Sequence, residues 1–101
     1  MRLKRPNILV ILDDQHRHDY LGYTGANFVN TPHIDALARS GRAFSHCCTN
    51  AQVCGPARIA LATGLVPTRT QTLSNADALL SPSIPNHYQH FRDQGYRVEL
   101  V

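Results

Sequence analysis

The sequence predicts an α/β chain organised on a largely parallel sheet, and three observations predict it. Ile8-Leu9-Val10-Ile11-Leu12 is a short unbroken apolar run, Thr31 to Gly41 carries helix signals at both ends, and a second helix signal over Asn86 to Gln94 precedes the alternating segment Tyr96 to Val101. Strands separated by helices form an open sheet covered on its faces by those helices. Val101 ends the chain on an apolar strand residue, so the pattern reads as an opening portion of a larger sheet.

Composition narrows the class. Apolar residues make up 43% of the 101 positions, which suits a globular chain rather than a disordered one. The net charge of +3 comes from scattered basic residues apart from Arg2, Lys4 and Arg5, which favours small acidic partners and offers no platform for nucleic acid. Cys47, Cys48 and Cys54 are an odd number in a short span, so no disulfide framework is expected, and no pair has zinc-ribbon spacing. The apolar run after the basic start is only five residues and ends in two aspartates. No export signal or membrane span is expected, which points to the cytoplasm and to no membrane partner.

Taken in order, Ile8 to Leu12 suits a strand buried on both faces. Ligands of such sheets bind beyond the carboxyl ends of the strands, where Asp13 and Asp14 fall. The chain turns there, so both carboxylates can reach one ion, and oxygen donors favour calcium or magnesium. The residues alone leave a second reading, in which one aspartate caps a turn and the other is solvated. His16 and His18 raise a third, a mixed nitrogen and oxygen site for zinc or iron. Gly22, Gly25 and Asn27 mark an irregular connection.

Thr31 as N-cap, Pro32 as first helical residue and Gly41 as a left-handed stop define the next helix, with Ile34, Leu37 and Ala38 on the face that covers the sheet. Arg42 to Cys48 is a second short strand, with Cys47 and Cys48 as packing residues and His46 as a satisfied core or edge histidine. In Val53 to Gly64, Pro56 suits a first helical position, Ala57 to Ala62 continue the helix and Thr63-Gly64 stop it. Cys54 then stands at the helix mouth, where backbone N–H groups favour an anion, with Arg58 as a planar donor fork one turn inside. Taken alone, Cys54 is first of all a small packing residue, since a cysteine near Pro and Arg is more often structural than reactive. A polar loop follows from Thr72 to Pro85.

The motifs Pro6-Asn7-Ile8-Leu9-Val10-Ile11-Leu12-Asp13-Asp14, Asn30-Thr31-Pro32-His33-Ile34-Asp35-Ala36-Leu37-Ala38 and Cys54-Gly55-Pro56-Ala57-Arg58 with Thr63-Gly64, at these separations, resemble the amino-terminal part of the sulfatases, in the alkaline phosphatase superfamily. The resemblance runs from about Arg5 to Val101. It implies the opening portion of an alkaline-phosphatase-like α/β sandwich with a central mixed, largely parallel sheet, residues 1–101 being the amino-terminal part of a truncated catalytic domain. It implies hydrolysis of a sulfate monoester, a divalent metal (Ca2+, with Mg2+ or Mn2+ as alternatives) and a Cα-formylglycine derived from Cys54 by a formylglycine-generating enzyme. By matching positions, Asp13, Asp14 and the converted Cys54 look like metal ligands, Cys54 and Arg58 like catalytic residues. The sulfatases' further Gly-Lys, His, Asp and Lys site residues have no counterpart within these 101 positions, so this stretch alone is expected to be inactive. Ala57 stands where many sulfatases carry Ser.

Three other functions compete. The same formylglycine chemistry serves phosphonate and phosphate monoester hydrolases. A non-catalytic binding module would keep the fold and an unmodified thiol, and a basic nucleic-acid binder would show salt-sensitive binding.

Overall fold

Local signals place the helices, and the helices form close to where those signals stand. The computed structural model describes residues 5–100. They fall into two compact units, divided between Ala43 and Phe44.

In the first unit, a 3-10 turn spans Gly22–Thr24 and helix α1 spans Pro32–Ser40, and the two pack on each other. Gly25 closes the 3-10 turn at φ 100°, a backbone angle open to glycine at no steric cost. Pro32 opens α1, Asp35 lies in its first turn and Arg39 in its last, so both charges complement the helix dipole. Two details differ from expectation. The Thr31 side chain does not cap α1; its Oγ1 donates to Asp35 Oδ1 at 2.9 Å and accepts the Gly22 N–H at 2.8 Å. Gly41 is not left-handed, with φ −113°: its N–H closes on the Leu37 carbonyl at 2.8 Å, a bond that lies in the preceding peptide plane and leaves the glycine's own φ unset.

In the second unit, α2 (Cys54–Thr63) packs against both α3 (Pro67–Thr70) and α4 (His87–Asp93). Pro56, Ile59, Ala60 and Ala62 bury one face of α2, and Thr72, after α3, is buried to 1% exposure. Thr72 remains satisfied: its N–H donates to the Pro67 carbonyl at 3.2 Å, and its hydroxyl is 2.6 Å from that of Thr70. α2 stops as expected. Gly64 is left-handed at φ 71° and donates to Ala60 O at 2.8 Å, while Thr63 Oγ1 donates to Ile59 O. Helix α4 has a true side-chain cap, Asn86 accepting from the Gln89 N–H at 3.1 Å, and ends at Gly95 with φ 82°. Tyr96 then folds back, its N–H on Phe91 O at 3.0 Å and its ring edge-on to Phe91 at 5.3 Å.

The expected strands differ. Among the described residues none is in a strand: 7–12, 42–48 and 96–100 carry no regular structure, and Val101 lies outside the described residues. Leu9 is 84% and Ile11 74% exposed, and Cys47, Cys48 and His46 are exposed rather than packed. His46 instead lies with its Nδ1 2.9 Å from the Ser45 hydroxyl. α1 likewise buries none of its residues. The physical difference is one of range: a helix closes its bonds four residues away, whereas a parallel strand gains them only from distant segments.

Candidate active site

The expected site residues divide between the units. Asp13 and Asp14 belong to the first, Cys54 and Arg58 to the second.

Asp13 and Asp14 are both exposed and sit where the chain bends, followed by Gln15 at φ 58°. A non-glycine residue in the left-handed region is uncommon, and it turns the backbone directly after the carboxylate pair. His16 folds back on this turn, with Nδ1 3.1 Å from Asp13 Oδ2 and Nε2 3.2 Å from the Tyr20 carbonyl. Both partners are acceptors, so a neutral imidazole with its single N–H satisfies one at a time. Next to it, Arg17 donates to Asp19 through Nε at 2.9 Å and Nη2 at 2.6 Å, and its guanidinium carbon lies 5.0 Å from the centre of the Tyr20 ring. That fork, chiefly through its hydrogen bonds, holds the Asp19 carboxyl below the ordinary carboxylate range and Arg17 above its ordinary value. An open hollow of about 570 Å3 adjoins the turn, with Gln15, His16, Tyr20, Asn30 and Thr31 in its wall.

The oxygen pair fits a hard divalent cation in kind, since carboxylates are the donors such ions take. Two carboxylates provide at most about four of the six to eight oxygens that calcium binds. Among the described residues no group of three His, Cys, Asp or Glu side chains is placed to hold a metal, so His16 and His18 do not complete a zinc or iron site.

In the second unit Cys54 is half-buried and is itself the first residue of α2, with Val53 in the cap position at φ −109° and ψ 138°. Pro56 was expected to open the helix and is instead its third residue. The reason is that any first-turn position tolerates a missing N–H. Arg58 follows Cys54 by four residues, which places the two on neighbouring turns of one face, and it is exposed. Val53 has no polar side chain to cap α2. The cap comes from twenty residues later, the Gly55 N–H donating to Asn75 Oδ1 at 2.8 Å. A Cβ on Gly55 would collide with Ala78 Cβ and crowd Asn75. The sequence carries no local mark of this contact, because Asn75 stands among the turn-forming residues of a polar loop.

A family model described as Sulfatase matches residues 6–101. The chain is 35% identical over 100 residues to a choline-sulfatase of Rhizobium meliloti, covering 99% of this chain and 19% of the relative. It is 39% identical over 92 residues to an ulvan-active sulfatase of Formosa agariphila, covering 91% and 18%. It is also 38% identical over 68 residues to a multifunctional alkaline phosphatase superfamily protein of Trinickia caryophylli, covering 62% and 13%. No solved structure matches it. The chain spans about a fifth of the length of the first two relatives.

Proposed function

The chain belongs to the sulfatase family, and from that premise we propose that the whole protein hydrolyses a sulfate monoester, with Cys54 as the precursor of its nucleophile. The observation that supports this most is the start of α2. Cys54 is its first residue, Arg58 stands one turn on, and a distant side chain holds the intervening backbone. The positive end of a ten-residue helix favours the sulfate anion beside residue 54. Arg58 offers planar donors to the charge that builds on the non-bridging oxygens during transfer. Asp13 and Asp14 would hold a divalent cation, calcium by donor type, with magnesium or manganese as alternatives. A formylglycine at position 54 and that cation, when present, together supply an activated oxygen nucleophile that a thiol lacks. The chain's own part is to fix position 54, to offset the anion's charge and to bring carboxylates to the metal. The segments 7–12, 42–48 and 96–101 are proposed as strands of the family's sheet, paired within the whole protein.

A second reading keeps the site and changes the ester. The match to a multifunctional alkaline phosphatase superfamily protein favours phosphate or phosphonate monoesters as the alternative. The test is made on the full-length protein isolated from its native cell. The peptide containing residue 54 is weighed, and turnover of an aryl sulfate, an aryl phosphate and an aryl phosphonate is compared with a Cys54→Ala control. A lighter, aldehyde-bearing peptide with sulfate turnover supports the first reading, and preferred phosphonate or phosphate turnover supports the second. An unmodified thiol with no turnover overturns both.

A further inference from the structure

We propose that Asn75 is a positioning residue that fixes the peptide plane between residues 54 and 55, and through it the direction in which residue 54 presents its side chain. The catalytic consequence rests on the reading of Cys54 given above. The first turn of α2 leaves few backbone donors: Ala57 N–H bonds to the Val53 carbonyl at 2.9 Å, Pro56 has none, and Gly55 N–H bonds to Asn75 at 2.8 Å. The N–H of Gly55 and the carbonyl of Cys54 belong to one rigid planar unit. Anchoring the N–H therefore fixes the rotation about the Cα–C bond of residue 54. The anchor is steric as well as polar, because Ala78 Cβ occupies the space where a Cβ of residue 55 would go and Asn75 Oδ1 crowds it.

The loop that carries Asn75 is itself tied down. Ser74 Oγ donates to Asp77 Oδ2 at 2.7 Å and accepts the Asp77 N–H at 3.3 Å, and Leu79 N–H bonds to Asp77 O at 2.7 Å. Three residues before Asn75, buried Thr72 fastens the loop to α3 through the Pro67 carbonyl. The acceptor is thus delivered to α2 by a turn with its own bonds, a construction suited to holding one peptide still. Small errors in the placement of a reacting group cost rate rather than binding.

The experiment uses the full-length protein with Asn75→Ala and Asn75→Asp, the latter keeping an oxygen that can accept the same bond. Rates are expressed per folded molecule carrying the converted residue 54, and amide exchange at Gly55 is followed by fragmentation-resolved mass spectrometry. The expected result for Asn75→Ala is a fall in kcat of roughly ten- to a hundredfold with KM unchanged, and faster exchange at Gly55. Asn75→Asp recovers most of the kcat and the protection. An unchanged kcat per converted site overturns the proposal, because Asn75 is then merely structural. A raised KM with unchanged kcat also overturns it, by making Asn75 a substrate contact. If the wild-type protein turns over no ester, the functional reading fails by itself, and exchange at Gly55 still decides: protection indifferent to Asn75 overturns the positioning role.

Discussion

The Asp35 carboxylate lies against the backbone of Gly22 so closely that a Cβ at position 22 would overlap its Oδ2. The same carboxylate accepts the Tyr23 N–H and the Thr31 hydroxyl, each at 2.9 Å, and Thr31 in turn accepts the Gly22 N–H. One side chain of α1 therefore ties the 3-10 turn to the start of the helix, within the motif that carries part of the family resemblance.

Removing that side chain is expected to loosen the first unit. Asp35→Ala removes the acceptor of the Tyr23 N–H and the Thr31 hydroxyl, each an ordinary hydrogen bond worth about 0.5–1.5 kcal/mol. Gly22→Ala forces the carboxylate away and destabilises as well. Urea unfolding of the full-length protein checks both, and midpoints equal to the wild type would refute the tie.

Gly55→Ala meets Ala78 Cβ, a group with no rotamer to escape into. Overpacking of this kind costs about 1–3 kcal/mol. A lowered denaturation midpoint is the expected outcome, and Gly55→Ala with Ala78→Gly should recover part of the loss if the collision is the cause.

Asp13→Asn and Asp14→Asn are expected to abolish the rise in melting temperature that calcium gives the full-length protein, since a ligand that binds only the folded state stabilises it by mass action. Chelation should lower the wild-type melting temperature to that of the variants. A calcium response retained in both variants would place the metal elsewhere.

Arg58→Lys should fail nearly as badly as Arg58→Ala, because a point ammonium cannot reproduce the planar fork. The expected fall in kcat is about a hundredfold or more. Steady-state kinetics on an aryl sulfate reads it out, and full activity in the lysine variant would remove the bidentate role.

The Arg17–Asp19 pair gives a pH dependence of known sign. Asp19 has a lower pKa folded than unfolded, so its contribution is present above the ordinary aspartate value and is lost as pH falls through the folded value. Both groups are well exposed, so the effect on stability is slight. The clearer readout is an NMR titration of the Asp19 carboxyl carbon. Its midpoint should lie below the ordinary aspartate value and move up to it in Arg17→Gln.

Much of the secondary structure was legible because its causes are local. Thr31-Pro32, Thr63-Gly64, Asn86 and Gly95 each mark a helix boundary through bonds made within a few residues, and α1, α2 and α4 follow them. α3 was not anticipated, although Pro67 opens it and Gln71 ends it at φ 59°. The motif spacing also carried the family, which the match over residues 6–101 shows. The apolar run 8–12 announced a buried strand, yet among the described residues no strand forms and these side chains stand exposed. A strand's partners are remote, so composition states what it needs and not what it meets.

The sequence by itself determined which residues are chemically suited to the site: two adjacent carboxylates, a cysteine before a proline, an arginine one helical turn away. Only the tertiary structure decided how α2 is held at its start. Val53, in the cap position of α2, has no polar side chain to offer. The acceptor arrives from Asn75, twenty residues further along the chain and beyond α3, into a space that exists because residue 55 has no side chain. Hydrogen bonds of that range depend on the folded path of the chain, and no periodicity or neighbouring residue records them.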